Sequence, residues 1–396
     1  MSAVKDLDVI VIGRGLLGAA TARHLALENR KVALIGPTEQ HCLQSGEVFA
    51  SHYDETRVQR VLAQDHLWTR MNLESVKSWL ALQELTGINF YQENGCIYVN
   101  NFQDGYLKGA ASLAKEFGLD IRGIESSADL KSVSPWLSID VPVFGIFEPK
   151  LAGVINPRKL VSAQLQAFQT LGGIELNEIV TGVSRSNDRW LVETSAGLKY
   201  TTEKVVVAAG AFTNFFNLIP RALDFYNKSE VVIISTLSES EYLKIRDMPS
   251  LLFEIETDDF DGIYVTPPTK RADGSYLLKL GLNQKLDVNL SNHAAMREWF
   301  TRQSYTSFAP VLERELNKLF PQISILEREL KPCVISRTVT ENPYIGEVED
   351  GLFVLVGCNG YSAMSSDAQG RQMAALVTSG CFDDGYSEEN FKVVFK

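Results

Sequence analysis

The sequence predicts an α/β fold in which two domains are interleaved along the chain rather than placed end to end. Three observations carry this expectation. The β-branched run Asp8-Val9-Ile10-Val11-Ile12 leads through a glycine turn into an alanine-rich stretch, and a second apolar run, Val32–Ile35, follows at the spacing of a βαβ crossover. A wholly apolar run, residues 205–210, and strand patterns near the carboxyl end return to the same kind of layer much later. The stretches between them alternate short strands and helices in another pattern, as expected of an α+β layer built on a mainly antiparallel sheet. At 396 residues the chain exceeds the usual size of one core, so about two domains are expected.

Taken in order, residues 8–12 read as a strand and residues 19–27 as the helix after the turn. Leu67, Met71, Val76, Trp79 and Leu82 recur at helical intervals over residues 65–85, and Gly87 stands where a C′ glycine would end that helix. Residues 88–90, 96–99 and 143–147 read as short strands around a helix at 107–117. A helix at 158–171 precedes a hairpin, residues 190–194 and 198–201 joined by Ser195-Ala196-Gly197, and then the 205–210 strand. A β-rich stretch at 230–285 and a helical segment at 293–320 follow. Strands at 333–336 and 352–356 and a helix at 368–378 close the chain.

Charge narrows the function classes. The 38 Lys and Arg against 49 Asp and Glu give a net charge of −11, which repels phosphate backbones and anionic lipid surfaces. Neither nucleic acid nor membrane is an expected partner, and no apolar run approaches the roughly 20 residues that span a bilayer. Lys5, Asp6 and Asp8 stand where a secretory signal needs its apolar region, so a cytoplasmic protein is expected. Cys42, Cys96, Cys333, Cys358 and Cys381 are scattered without paired spacing, and His24, His41, His52, His66 and His293 show no metal-ligand spacing. No metal is expected.

The turn Gly13-Arg14-Gly15-Leu16-Leu17-Gly18 has a physical task in this context. Gly13 permits the tight turn, Gly15 lets the backbone approach a pyrophosphate, and Gly18 lets helix and strand pack closely, so that the helix N-terminus faces the phosphates. This is a Rossmann-like dinucleotide fingerprint. The acid expected at the end of the second strand is missing, because Val32–Ile35 runs into Gly36-Pro37-Thr38-Glu39. Either Glu39 reaches the ribose, or Thr38 or the backbone does so and Glu39 is an ordinary solvated carboxylate. FAD and NAD both use such a turn.

Beyond the turn, four stretches carry a family resemblance: Ala22, Leu25 and Ala26 of the first helix, residues 51–60 (Ser51-His52-Tyr53-Asp54-Glu55-Thr56-Arg57-Val58-Gln59-Arg60), the 205–210 strand with Ala211-Phe212-Thr213, and Gly357-Cys358-Asn359-Gly360. Together they resemble the D-amino-acid oxidase superfamily of FAD-dependent oxidoreductases, nearest the branch of monomeric sarcosine oxidase and pipecolate oxidase. The resemblance runs from end to end and selects FAD over NAD. It implies an FAD-binding domain from residues 1–85, 148–219 and 325–396 and a substrate domain from 86–147 and 220–324. It also implies cofactor contacts from Gly13, Gly15, Leu16, Leu17, Gly18, Glu39, Ser51, His52, Thr56, Arg57, Val180, Ala209, Gly210, Gly360, Tyr361 and Met364.

The same resemblance implies a substrate site. Arg57 and Arg60, three residues apart, are spaced to share one side of a helical turn, where one ligand could meet both; the alternative is surface arginines paired with Asp54 and Glu55. By resemblance Arg57 lies near the flavin and Arg60 holds a substrate carboxylate. Arg337 resembles the arginine that glycine and D-amino-acid oxidases use for that carboxylate. Met364 stands where sarcosine oxidases place a lysine, and Asn283 where they place a histidine. Tyr264 matches an active-site tyrosine, or else is a strand aromatic facing the core. Lys279 matches the oxygen-activating lysine, or else is a strand lysine facing solvent. The cysteine that carries covalent flavin in sarcosine oxidases corresponds here to Ile335; Cys333 lies roughly 6 to 7 Å further back on the same strand face. Noncovalent FAD is therefore expected, with Cys333 as the rival attachment point.

The expected protein is an oxidase of the C–N bond of a small amine or amino acid bearing a carboxylate, with molecular oxygen as second substrate and an imine and hydrogen peroxide as products. Its rivals are an amine dehydrogenase with another acceptor, a flavin-binding protein without turnover, and an NAD-dependent dehydrogenase resting on the turn alone.

Overall fold

The computed structural model describes residues 7–102, 108–285, 288 and 290–396. Its architecture is a two-domain α/β arrangement, built on one mixed and mainly parallel sheet and a second, mainly antiparallel one. In the first sheet Leu7–Ile12 is central, with Val32–Ile35 on one side and Lys199–Val207 on the other, both parallel to it. Leu352–Val356 adds a further parallel strand beside Lys199–Val207. Such a sheet needs cover on both faces, and Val32–Ile35 and Leu352–Val356 are accordingly apolar throughout. Val9, Val11, Leu34 and Val206 pack with the helices Leu16–Leu27, His66–Thr86, Pro157–Thr170 and Ser362–Ser379, while Ile10, Ile12, Ala33 and Val205 join a second cluster on the opposite face.

The helix His66–Thr86 begins where Asp65 accepts from the backbone N–H of Trp68 and ends at Gly87 with φ +69°. The expected hairpin and the expected 205–210 strand prove continuous. Lys199–Val207 is one strand, antiparallel to Arg189–Thr194 along its first half and parallel to Leu7–Ile12 along most of its length. It thereby ties the hairpin to the parallel core.

The second sheet is dominated by Phe225–Leu237 and Ile325–Thr338, which pair antiparallel from Phe225 opposite Thr338 to Leu237 opposite Ile325. Tyr276–Gln284 and Phe260–Lys270 continue it, and Ser250–Glu254, Cys96–Asn100 and Phe144–Glu148 extend it further. Ile325–Thr338, although within the 325–396 segment assigned to the cofactor domain, is thus hydrogen bonded along its length into the second sheet.

Several local expectations shift. The strand expected at 88–90 forms at Tyr91–Glu93, and the last helix starts at Ser362 rather than at residue 368. The helix expected at 107–117 forms at Ala110–Phe117, with Leu107 outside the described residues. Arg57 and Arg60 do not share a helical turn, because Arg57–Gln59 is a strand paired with Gly153–Ile155. Arg60 lies just past that strand, and the two guanidiniums line different cavities.

Candidate active site

A cavity of about 620 Å³ lies at the carboxyl ends of the parallel strands, between the glycine turn and the second sheet. Ligands of open α/β sheets bind in this place. Gly13, Gly15, Leu16, Leu17, Glu39, Ser51, Arg57, Val180, Ala209 and Gly210 all line it.

The three glycines of the turn divide by what a side chain would meet. Gly13 has φ +115°, and a Cβ there would lie 2.2 Å from the Ala208 carbonyl oxygen. A Cβ on Gly18 would lie 1.8 Å from the carbonyl oxygen of Gly13, so helix and strand pack through that gap. At Gly15 the nearest atom is His52 Nδ1, 4.0 Å away. Protein packing thus demands glycine at positions 13 and 18. At Gly15 only something entering the cavity demands it, which fits a dinucleotide pyrophosphate against the helix N-terminus.

The strand-end acid is absent for a local reason. A Cβ on Gly36 would stand 2.6 Å from the Arg14 backbone nitrogen, because that strand end tucks under the turn. Glu39 lines the cavity and is gripped by Arg158, whose Nε and Nη2 donate to its two carboxylate oxygens at 2.9 and 2.7 Å. Arg158 also donates to Glu55 and, at 2.7 Å, to the Tyr53 carbonyl. Sequence reading missed Arg158; it enters from the first turn of a helix whose local pattern signals only amphipathicity.

Across the cavity, one sheet face gathers most of the expected substrate residues. Leu278, Leu280, Leu282, Ile263, Val265, Val231, Ile233 and Val334 belong to the core on one side of the second sheet. Alternation therefore turns Lys279, Gly281, Asn283, Tyr264, Val232, Glu230, Cys333 and Arg337 to the other side. Val232 and Cys333 line the cavity from this face and Val334 from the other, whereas Tyr264, Lys279, Asn283 and Arg337 stand behind the lining residues. Tyr264 is opposite Gly281 on the neighbouring strand, and a Cβ on Gly281 would lie 2.1 Å from the tyrosine ring carbon Cζ. The missing side chain lets the ring lie across that strand. Burial, reinforced by Glu230, raises the Tyr264 phenol well above its ordinary pKa, so it stays protonated. Glu230, buried and bonded at 2.6 Å to Lys228, is a member of this face that sequence reading did not single out.

Lys279 is completely buried, which removes the solvent-facing alternative. Its Nζ donates to Asp54 Oδ2 at 2.7 Å and to the Thr56 carbonyl at 3.0 Å. Asp54 in turn pairs with Arg57 Nη1 at 2.5 Å, and Arg57 donates to the Ser51 carbonyl at 2.6 Å. Burial alone would raise the Asp54 pKa; Arg57 and Lys279 outweigh it and hold the carboxyl below its ordinary value. For Lys279, burial and the Arg57 charge prevail over Asp54 and lower the ammonium to about 8.

The arginines differ in what they already hold. Arg57 faces the cavity with Asp54 attached. Arg60 donates to the Leu62 carbonyl and lies over the rings of Tyr98 and Tyr361, in a small separate pocket with Glu148. Burial pushes Glu148 up to about 7, against the Val61 and Leu62 N–H groups and Arg60, which favour its charged form. The Arg337 guanidinium has no hydrogen-bond or ion-pair partner among the described residues, and its Nε is buried and unsatisfied.

The remaining expected contacts surround the cavity unevenly. His52 is buried with Nδ1 unsatisfied, and burial together with Arg158, Arg14 and Arg57 lowers it to about 3 against the pull of Asp54, so it is a neutral imidazole. Thr56 is buried with a free hydroxyl. Gly360 takes φ +87° just before the last helix, while Met364, a turn into that helix, is buried in the helix core and is not among the cavity-lining residues. Ser362 and Cys358 line the cavity in its place. Among the described residues, no group of three or more His, Cys, Asp or Glu could hold a metal ion, and no helix is long and apolar enough to cross a membrane.

The family described as FAD dependent oxidoreductase, DAO, matches residues 8–376. The chain belongs to this family. Monomeric sarcosine oxidase of Bacillus sp. (strain B-0618) is 24% identical over 384 residues, covering 94% of this chain and 92% of that protein. Human peroxisomal sarcosine oxidase is 27% identical over 224 residues, covering 54% and 53%. Among solved structures, the Tyr258Phe mutant of NikD, an unusual amino acid oxidase essential for nikkomycin biosynthesis, superposes in its open form with TM-score 0.78 at 18% identity, over 98% of this chain and 97% of that one. L-proline dehydrogenase from P. horikoshii superposes with TM-score 0.73 at 20% identity, over 96% and 95%.

This DAO-family protein is an FAD-dependent oxidoreductase acting on the C–N bond of an amine or amino acid. The glycine turn, the Ser51 to Arg57 segment and the Ala208 to Gly210 strand end are the residues that would hold FAD. When bound, FAD supplies two-electron redox chemistry; the protein supplies orientation and electrostatics.

Proposed function

We propose that the enzyme oxidises a small amino acid or amine whose carboxylate is held by Arg337, with molecular oxygen as the electron acceptor. The observation that carries this reading is the bare guanidinium of Arg337 on the sheet face that also presents Tyr264 and Lys279. A planar fork of donors with no internal partner suits a carboxylate that arrives with the substrate. Arg60, expected to play that part, is engaged with the Leu62 carbonyl beside Glu148. The cavity wall would orient the substrate carbon toward the cofactor and exclude water while the C–N bond is oxidised. Lys279 would favour the negative charge that develops on oxygen as it takes up electrons. The names of the sarcosine oxidase relatives support an oxidase, and hydrogen peroxide and an imine are the products expected.

The same proposal includes noncovalent FAD and the division into residues 1–85, 148–219 and 325–396 for the cofactor and 86–147 and 220–324 for the substrate, with Ile325–Thr338 bridging the two. It also includes a cytoplasmic location, which the five free cysteines suit. The test is an anaerobic screen of amines and amino acids that follows loss of the flavin absorbance, repeated with Arg337→Met. Bleaching by carboxylate-bearing amines alone, lost in the variant, is the expected result. Equal bleaching by amines without a carboxylate would overturn it.

A further inference from the structure

The Lys279–Asp54–Arg57 cluster contains a residue with a task that the family resemblance did not assign. Lys279 rises from the middle of the second sheet between Ile234 and Thr266, its uncharged partners on the flanking strands. No water reaches it. An ammonium in such a place is expensive to keep charged, and two influences drive its proton off: burial and the guanidinium of Arg57. Among the described residues Asp54 is the only carboxylate within ion-pair distance of it, at 2.7 Å, and the Thr56 carbonyl completes its hold at 3.0 Å. Asp54 and Arg57 both line the cavity, whereas Lys279 is not among the lining residues. The carboxylate therefore stands in the wall between the ammonium and the space for the cofactor.

We infer that Asp54 is a positioning residue that keeps Lys279 protonated at neutral pH and fixed behind the cavity wall, and so sets the pH range of the electron-acceptor step. This rests on the reading that electrons leave bound FAD beside Lys279. Cys333 from the long strand and Tyr264 from the neighbouring strand also face the cluster, and Arg158 acts on Asp54 from the other side. Of the charged groups among the described residues, Asp54 alone opposes burial and Arg57 by direct contact with the ammonium. With Asp54 in place, Lys279 titrates at about 8. Without it, burial and Arg57 are opposed by Cys333 alone among these groups, and the ammonium gives up its proton at a lower pH.

Two measurements on the holoenzyme separate this inference from the reading beneath it. The first is thermal stability against pH. Folded Lys279 loses its proton near 8 and an ordinary lysine near 10.5, so between those values the unfolded state binds more protons and stability rises with pH. The wild type should show that rise beginning near pH 8, and Lys279→Met should lack it. Asp54→Asn should begin it about one unit or more lower, Asp54→Glu should restore the wild-type position, and Arg57→Gln should move it upward. A rise at the same pH in the wild type, Asp54→Asn and Arg57→Gln would overturn the inference, and the Arg57 variant keeps the test open if Asp54→Asn does not fold. The second is reoxidation by air of enzyme reduced under nitrogen. It should slow above about pH 8 in the wild type and fall about tenfold or more at pH 7 in Asp54→Asn. A shifted stability profile with reoxidation independent of pH in every variant would uphold Asp54's hold on the proton and reject oxygen chemistry at Lys279.

Discussion

At the level of single residues, the site is decided by which polar groups are already satisfied. Arg57, Arg60 and Arg337 carry the same guanidinium, yet only Arg337 lacks a partner among the described residues. Truncating a buried charge that pairs with a ligand typically costs about 2 to 5 kcal/mol, so Arg337→Met should weaken substrate binding by roughly 30-fold or more. Arg60→Met should change substrate binding much less. Titrating the rate of anaerobic flavin reduction against substrate concentration compares them, and a larger effect from Arg60 would return the carboxylate to that residue. Gly15 makes a second case. Because its side-chain direction opens onto the cavity, Gly15→Val should fold with an unchanged far-UV spectrum and lose bound FAD. Gly18→Val should lose the fold itself, since its Cβ meets the Gly13 carbonyl oxygen at 1.8 Å. Full flavin content in purified Gly15→Val would count against the pyrophosphate assignment.

At the level of elements, alternation along the strands does most of the sorting. Once Leu278, Leu280 and Leu282 are committed to the core, Lys279, Gly281 and Asn283 must face the other way. Local sequence shows this alternation, but what marks Lys279 and Asn283 out within it is the family resemblance. The same rule explains the error at Arg57 and Arg60: a spacing of three suits a helix, but a run of only three residues, paired with Gly153–Ile155, is too short for periodicity to choose strand over helix. Gly281 is the element-level feature with the sharpest consequence. Gly281→Val would fill the space over which the Tyr264 ring lies and push the phenol aside. Slower flavin reduction by substrate, with FAD content kept, is the expected outcome in stopped-flow traces. An unaltered rate would mean that Tyr264 contributes only packing.

At the level of the whole molecule, the cavity is an interface between two sheets, and filling it should bind the two layers together. FAD that binds only the folded chain, present at about 100 times its dissociation constant, should stabilise the apoprotein by about 2.7 kcal/mol. Denaturant unfolding with and without added FAD measures this. Acid precipitation should release the yellow colour to the supernatant, because the family resemblance puts Ile335 at the register of covalent attachment, with Cys333 two residues earlier. A coloured pellet would identify Cys333, which does line the cavity, as the attachment point.

What the sequence determined by itself is whatever depends on neighbours along the chain: the glycine turn after an apolar strand, the cap and C′ glycine of the His66–Thr86 helix, the alternation that sets Lys279 apart from its leucines, and the ordered motifs that reveal the family. What only the tertiary structure decided depends on groups brought together from distant segments. Arg158 gripping Glu39, Asp54 reaching Lys279 across 225 positions, Glu148 lodged beside Arg60 and the solitary Arg337 belong to this second kind. The physical reason is that burial and electrostatic pairing are properties of the space around a group. A guanidinium is a surface decoration, half of an ion pair or a waiting ligand site according to what the folded chain places next to it, and no local pattern encodes that neighbour.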